Sequence, residues 1–265
     1  MPNPVAHPAA AIPFSRVGLV FSALVAGSLS PDFGYFIPLP GAFFMYTVPG
    51  LILFDVPVGL VFLALFHFIL KWPLLSLLPK GLQRRLIKHA QLFSFGPLNR
   101  FLLILLSLLV GSLTHVIWDS FTHDYGWMVE QFSVLSTSIR GVPLYTILQN
   151  LGNLFGIGFL IYWFVRWLPG APQGDTALPG FSGRFHMIFF TLATACLAGV
   201  EGRILYLRLL TGSRLVGGHF LMVSTIFSAV FITSFFVFIY CMAWMIAFHK
   251  TIRPAQKAHH GQTGS

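Results

Sequence analysis

Charge is what this chain has least of. Only 9% of its 265 residues are Asp, Glu, Lys or Arg, and seven of these are acidic. A soluble domain carries roughly 25% charged residues, so this chain lacks the means to cover itself with a wetted surface. Cysteine is scarce as well. Cys196 and Cys241 each lie inside an apolar run, where a thiol behaves as a small hydrophobe, and no disulfide framework is implied. The period-two alternation of a membrane barrel strand is missing, because the apolar runs are continuous. Residues 1–13 have no positive region ahead of an apolar stretch, so no cleaved signal peptide is read there. No internal repeat is visible.

What is present is apolar length. Hydrophobic residues make up 56% of the chain, and the mean hydropathy is +0.80. Residues 33–54, 101–118, 141–165 and 215–248 contain no Lys, Arg, Asp or Glu, and about 20 predominantly apolar residues suffice to cross a bilayer as a helix. The pattern predicts helices at about 17–37 (broken), 48–70, 100–121, 145–167, 185–209 and 219–248. The expected fold is an all-α polytopic integral membrane protein with five or six transmembrane helices. It is read as a single helical domain over residues 1–249 with a disordered cytoplasmic tail at 250–265. Residues 169–183, rich in Gly and Pro, read as a linker.

The net charge of +9 is explained by its distribution. Lys71, Lys80, Arg84, Arg85, Lys88 and Arg100 border the second connection, whereas Arg140 is the single basic residue in the next one, beside Asp124 and Glu130. The positive-inside rule makes the first of these cytoplasmic, and Arg208 and Arg214 run against the bias. The basic residues are thus topology signals and partners for lipid headgroups, and nucleic acid is not an expected partner. Residues 73–92 mix apolar and basic side chains at near-helical spacing and read as an amphipathic helix on the cytoplasmic leaflet.

The run Thr114-His115-Val116-Ile117-Trp118-Asp119-Ser120-Phe121-Thr122-His123 ends one of the apolar segments on the opposite, outer side. Positions i, i+4 and i+8 fall near one helix face, so His115, Asp119 and His123 present two imidazoles and a carboxylate together. Ionisable groups at membrane depth are costly and mark function by default. Two readings stand: ligands for a divalent metal, zinc by the donor types, or a hydrogen-bonded cluster closing the helix mouth with Trp118 as a belt residue. Asp32, after Ser30-Pro31, is either a further ligand from the same side or a cap on the next turn.

Gly27-Ser28-Leu29-Ser30-Pro31-Asp32-Phe33-Gly34-Tyr35-Phe36, Leu53-Phe54-Asp55-Val56-Pro57, the 114–123 motif, Val142-Pro143-Leu144-Tyr145 and Leu148-Gln149 together carry a resemblance. They look like a family of bacterial multi-pass membrane proteins of unknown function, over about residues 1–165. That family is distantly similar to membrane-bound metal-dependent hydrolases, and the His-x-x-x-Asp pattern is similar to the ligand helix of zinc-dependent phospholipases C. The resemblance implies residence in the bacterial cytoplasmic (inner) membrane. It also implies a metal set of His7, Asp32, His115, Asp119 and His123, with Asp32 and Asp119 as catalytic carboxylates. The implied activity is hydrolysis of a lipid or lipid-linked ester or phosphoester at the outer interface. Where the family pattern leads one to expect histidines, this chain has Tyr46 and Asn150, neither a usual zinc ligand.

His7 poses a topological problem. If residues 17–37 cross fully, His7 lies on the wrong side for this site; the uncharged stretch 17–31 is short for a span, and a re-entrant segment would bring His7 back to Asp32. Asp55 reads as a structural hydrogen-bonding residue, Glu201 and Arg208 as a structural ion pair, and His67, His186 and His249 as interfacial. Two further functional classes remain open: a proton-coupled transporter using Asp55, Glu201 and the histidines, and a non-catalytic membrane scaffold. The oligomeric state has no signal in the sequence.

Overall fold

The computed structural model describes residues 4–35, 44, 46–174, 177–210 and 229–248. Its main helices are α1 (Phe21–Leu29), α2 (Val48–Ser76), α3 (Lys80–Gln91), α4 (Leu98–Thr122), α5 (Leu144–Trp167), α6 (Gly183–Leu210) and α7 (Ala229–Phe248). Five segments among the described residues, α2 and α4 to α7, are long and apolar enough to cross a membrane. The chain is therefore a mostly helical, multi-pass membrane protein, as its composition predicts. The expected tail at 250–265 lies outside the described residues, as do residues 219–228 of the last predicted helix.

α1 is the exception. Its nine residues rise about 13 Å, under half of a roughly 30 Å hydrocarbon core. The chain approaches it through a one-turn helix, Pro8–Ala11, and a 3₁₀ stretch, Ile12–Val17, that ends at Gly18 with φ of 94°. That left-handed backbone suits glycine. After α1, a second 3₁₀ stretch, Pro31–Tyr35, carries Asp32.

α1 lies beside α4 and runs in the same direction. The Val20 backbone N–H donates to Ser107 Oγ at 2.9 Å, and the Ser28 carbonyl accepts from His115 Nδ1 at 2.7 Å. Both partners advance by the same number of residues, so the two helices keep register for about 12 Å. Ser112 Oγ donates to the Gly27 carbonyl and lies 3.1 Å from Ser30 Oγ. A short helix leaves backbone groups unpaired at each end, and in lipid these must find protein partners. Here the side chains of α4 supply them.

The close approach of these two helices rests on glycine. A Cβ at Gly27 would run into the Leu108 carbonyl, and one at Gly111 into the Leu24 carbonyl. Lipid tails are as apolar as Leu, so small residues that let backbones touch, rather than hydrophobicity, hold membrane helices together. Val20, Ala23, Ala26, Leu63, Ile104 and Leu108 form the buried core around this contact.

The described chain divides into two compact units, Met1–His67 with Leu92–Pro172, and Phe68–Gln91 with Gln173–Ser265. The first holds α1, α4, α5 and most of α2. A two-residue hairpin turn between Ser138–Ile139 and Val142–Pro143 sits in its α4–α5 connection, with Arg140 and Gly141 both at positive φ. Such left-handed pairs match the twist of a tight hairpin.

In the second unit Trp72, Tyr240, Cys241 and Trp244 form an aromatic core with Phe181, Phe185 and Phe189 packed against it. Two of its polar ends are paired, while Trp72 Nε1 has no hydrogen-bond partner. His186 Nε2 lies 2.9 Å from Tyr240 Oη, and Trp244 Nε1 donates to the Pro179 carbonyl. The 73–92 reading resolves into the end of α2 followed by α3 as a separate helix. Within the linker expected at 169–183, residues 171–174 and 177–182 lie outside any helix or strand.

Candidate metal centre

The parallel register of α1 and α4 decides what meets at the head of α4. His115 is fully buried, and its Nδ1 points at the Ser28 carbonyl. A carbonyl can only accept, so Nδ1 carries the ring proton and a neutral His115 has a bare lone pair on Nε2. That nitrogen faces Asp119 Oδ2 at 3.1 Å and Asp32 Oδ1 at 3.5 Å. A lone pair and two carboxylate oxygens repel unless a proton or a cation lies among them. Fixing one ring nitrogen on a backbone carbonyl and baring the other is how proteins orient metal-binding histidines.

His7 arrives from the other end of the excursion made by residues 8–31. Its imidazole stacks on His115 with ring centroids 3.8 Å apart, and its Nε2 lies 3.7 Å from Asp119 Oδ1. Burial, reinforced by the neighbouring His115, pushes its pKa down to about 3, so it is neutral at pH 7 and able to act as a ligand. Asp32 is buried too, and burial pushes its pKa up to about 6 against the opposing pull of His115. Residues 7 and 32 thus meet at the same level of α4, with the intervening chain reaching only as deep as Ser107. The re-entrant alternative for the N-terminal segment is the one that this geometry matches.

His7, Asp32 and His115 each offer a ligand atom, and these all lie within 4.8 Å of one another. Asp119 stands beside them and touches three histidines, with His123 Nδ1 at 3.4 Å from Oδ1. Among the buried polar atoms with no hydrogen-bond partner are His7 Nδ1, both Asp32 oxygens and Asp119 Oδ1. Orphaned polar atoms are rare in folded proteins and point to an ion or water. Tetrahedral zinc, with bonds of about 2.0–2.2 Å, places neighbouring ligands roughly 3.3–3.6 Å apart. The contacts of His115 Nε2 to its two carboxylates, 3.1 and 3.5 Å, lie close to that spacing. The donor set fits a divalent ion.

All five sequence-nominated residues are therefore brought together, in an arrangement the helical face alone does not convey. His123 is held away from the three-residue cradle. Its Nε2 accepts from the Gln149 amide at 2.8 Å, and its Nδ1 faces Asp119, so both nitrogens are engaged. Gln149, on α5, was not a candidate in its own right; the Leu148-Gln149 element was the available signal. Asn150, where a histidine was expected, is exposed. Tyr46 lies near the site, its ring 6.3 Å from His115 and 5.6 Å from Tyr125, and Tyr125 in turn stacks 5.2 Å from His123.

The other ionisable residues stand elsewhere. Asp55 is fully buried in a π-helical turn, Leu51–Asp55, and neither of its oxygens has a hydrogen-bond partner. His67 Nε2 lies 3.0 Å from Ser22 Oγ, and its ring stacks on Phe93. The Arg208 side chain and His249 lie outside the described residues.

A bundle of apolar helices enclosing a His/Asp cradle at the end of one span defines a multi-pass membrane protein with a candidate metal centre. The chain belongs to the family described as the domain of unknown function DUF4184, whose model matches residues 1–247. The match extends well past residue 165, where the motif resemblance ends, and so takes in α6 and α7. No curated protein and no solved structure matches the chain.

Proposed function

We propose that this protein is a metal-dependent hydrolase of the bacterial cytoplasmic membrane, acting on a lipid or lipid-linked ester or phosphoester at the outer interface. The observation that carries the reading is the bare Nε2 of His115 facing two buried carboxylates, with His7 stacked alongside. His7, Asp32 and His115 would hold the ion. When bound, a divalent ion would supply Lewis-acid polarisation of the ester or phosphoryl oxygen and would make water acidic enough to attack near neutral pH. Asp119 accepts the proton of the attacking water; its Oδ1 has no hydrogen-bond partner, and its Oδ2 lies 3.1 Å from His115 Nε2. Gln149 holds His123 Nε2, and His123 Nδ1 reaches the Asp119 backbone carbonyl at 3.3 Å, backing the turn that carries the carboxylate.

The surroundings support a lipidic substrate. The α4–α5 connection exposes Trp127, Phe132, Val134 and Ile139, each more than half accessible. Aromatic and aliphatic side chains presented at the end of a span favour the headgroup level of a bilayer. Purified protein, dialysed against zinc and then assayed on phospholipid and lipid-linked phosphoester substrates, tests the reading. The parent holds stoichiometric zinc and turns over; Asp119→Asn keeps the metal and loses turnover. Absence of metal from the zinc-treated parent overturns it.

A further inference from the structure

A second polar feature lies away from the candidate metal centre. α3 connects two consecutive candidate spans, Val48–Ser76 and Leu98–Gln131, so residues 77–97 belong at one face of the bilayer. Lys80, Arg84 and Lys88 recur every four residues along α3 and are all exposed. Spacing of i, i+4 and i+8 sets them in one row, about 6 Å from residue to residue. An adjacent face is buried at Gln83 and Ile87.

The helix is also pinned. The Gln83 side-chain amide donates to the Ser76 and Leu78 carbonyls, and its Oε1 accepts from the Leu178 N–H. The Arg84 carbonyl accepts from the Gly174 N–H at 2.8 Å. An ordinary solvated charge run has no need of such anchoring. Along the chain itself, no Asp or Glu occurs between Asp55 and Asp119. Leu77, just ahead of the helix, is exposed as well.

We propose that the Lys80–Arg84–Lys88 row is a binding site for the phosphate headgroups of anionic phospholipids, with Leu77 against the upper acyl chains. A fixed row of exposed cations at an interface is complementary to a surface of lipid phosphates, and the neighbouring Leu77 favours lipid over a soluble anion. Each basic residue near an anionic surface contributes about 1 kcal/mol, or about fivefold in affinity. The proposal is independent of the metal centre.

Native mass spectrometry of the full-length protein in detergent, titrated with phosphatidylglycerol or phosphatidylcholine of matched chains, tests it. The parent binds phosphatidylglycerol at least tenfold more tightly, and the preference shrinks as salt rises. The triple variant Lys80→Gln, Arg84→Gln, Lys88→Gln reduces the preference to below threefold, whereas Lys80→Arg with Lys88→Arg keeps it. Removing basic charge elsewhere, with Arg140→Gln and Arg166→Gln, leaves it unchanged. Equal binding of the two lipids, an undiminished preference in the triple variant, or displacement of the lipid by a single-stranded RNA oligomer overturns the proposal.

Discussion

The two compact units differ in what they bury beside their apolar side chains. The first encloses His7, Asp32, His115 and Asp119 between closely apposed backbones. The second encloses Trp72, Tyr240, Cys241 and Trp244 and leaves a row of cations on its surface. Aromatic burial gives dispersion contact without electrostatic cost. Buried carboxylates and imidazoles cost several kcal/mol each unless they are paired or coordinated. The second unit is built as a scaffold, and the first accepts a penalty that only a ligand or a proton removes. That contrast separates packing from chemistry within one membrane protein.

The contrast can be broken most sharply at His115. His115→Ala removes the central ligand and also leaves the Ser28 carbonyl without its donor. Metal content, read by elemental analysis of purified protein, falls from stoichiometric to background. Hydrogen exchange of α7 remains unchanged, since its core contains none of these groups. Next in size is Trp244→Ala, which opens a cavity in the fully buried aromatic core. It costs about 3–5 kcal/mol by the measure of comparable core truncations, seen as a lowered midpoint of denaturant unfolding in detergent, while zinc binding persists in the protein that remains folded.

Gly111→Leu probes the same contrast from the backbone side. The added side chain meets the Leu24 carbonyl and the Ser28 amide, forcing α1 away from α4. Overpacking of this kind costs about 1–3 kcal/mol. Here it weakens metal binding as well, because His7 and Asp32 flank α1. A variant that loses stability yet binds zinc with parental affinity would show that α1 does not set the cradle. The smallest effect is expected at Gln149→Ala. Loss of a partner that orients a metal-site side chain reduces affinity about 10- to 100-fold, here at unchanged stoichiometry, measured by competition with a chelator. Unchanged affinity would detach His123 and Gln149 from the centre.

The spans were the most legible part of this protein. Continuous apolar runs without charge leave little choice but a membrane helix, and α2, α4, α5, α6 and the described part of α7 fall where the runs lie. The site was legible in part. The spacing of His115, Asp119 and His123 placed them on one face, because helical periodicity is a local property. It could not distinguish the role of Asp119, which contacts three histidines, from that of His123, whose two nitrogens are already engaged. That difference depends on Gln149, 26 positions away from His123. His7 and Asp32 were implied by family resemblance, and whether they could meet depended on the depth of α1. Hydropathy has no access to such depth. The parallel register of α1 along α4, set by Ser107, Ser112, His115 and two glycines, is a tertiary fact.

That register also has a consequence in time. The N–H of Val20, just before α1, and the carbonyl of Ser28, near its end, both take partners 87 residues further along the chain. At a synthesis rate of about 5–20 residues per second, those partners emerge roughly 4–17 s after α1 itself. Throughout that interval the nascent segment has backbone groups that lipid cannot solvate. It must wait in water or at the headgroup layer, and it sinks beside α4 only once that helix has been made. The order of assembly, from the middle of the chain back to its beginning, is thus written into which side chains cap the shortest helix.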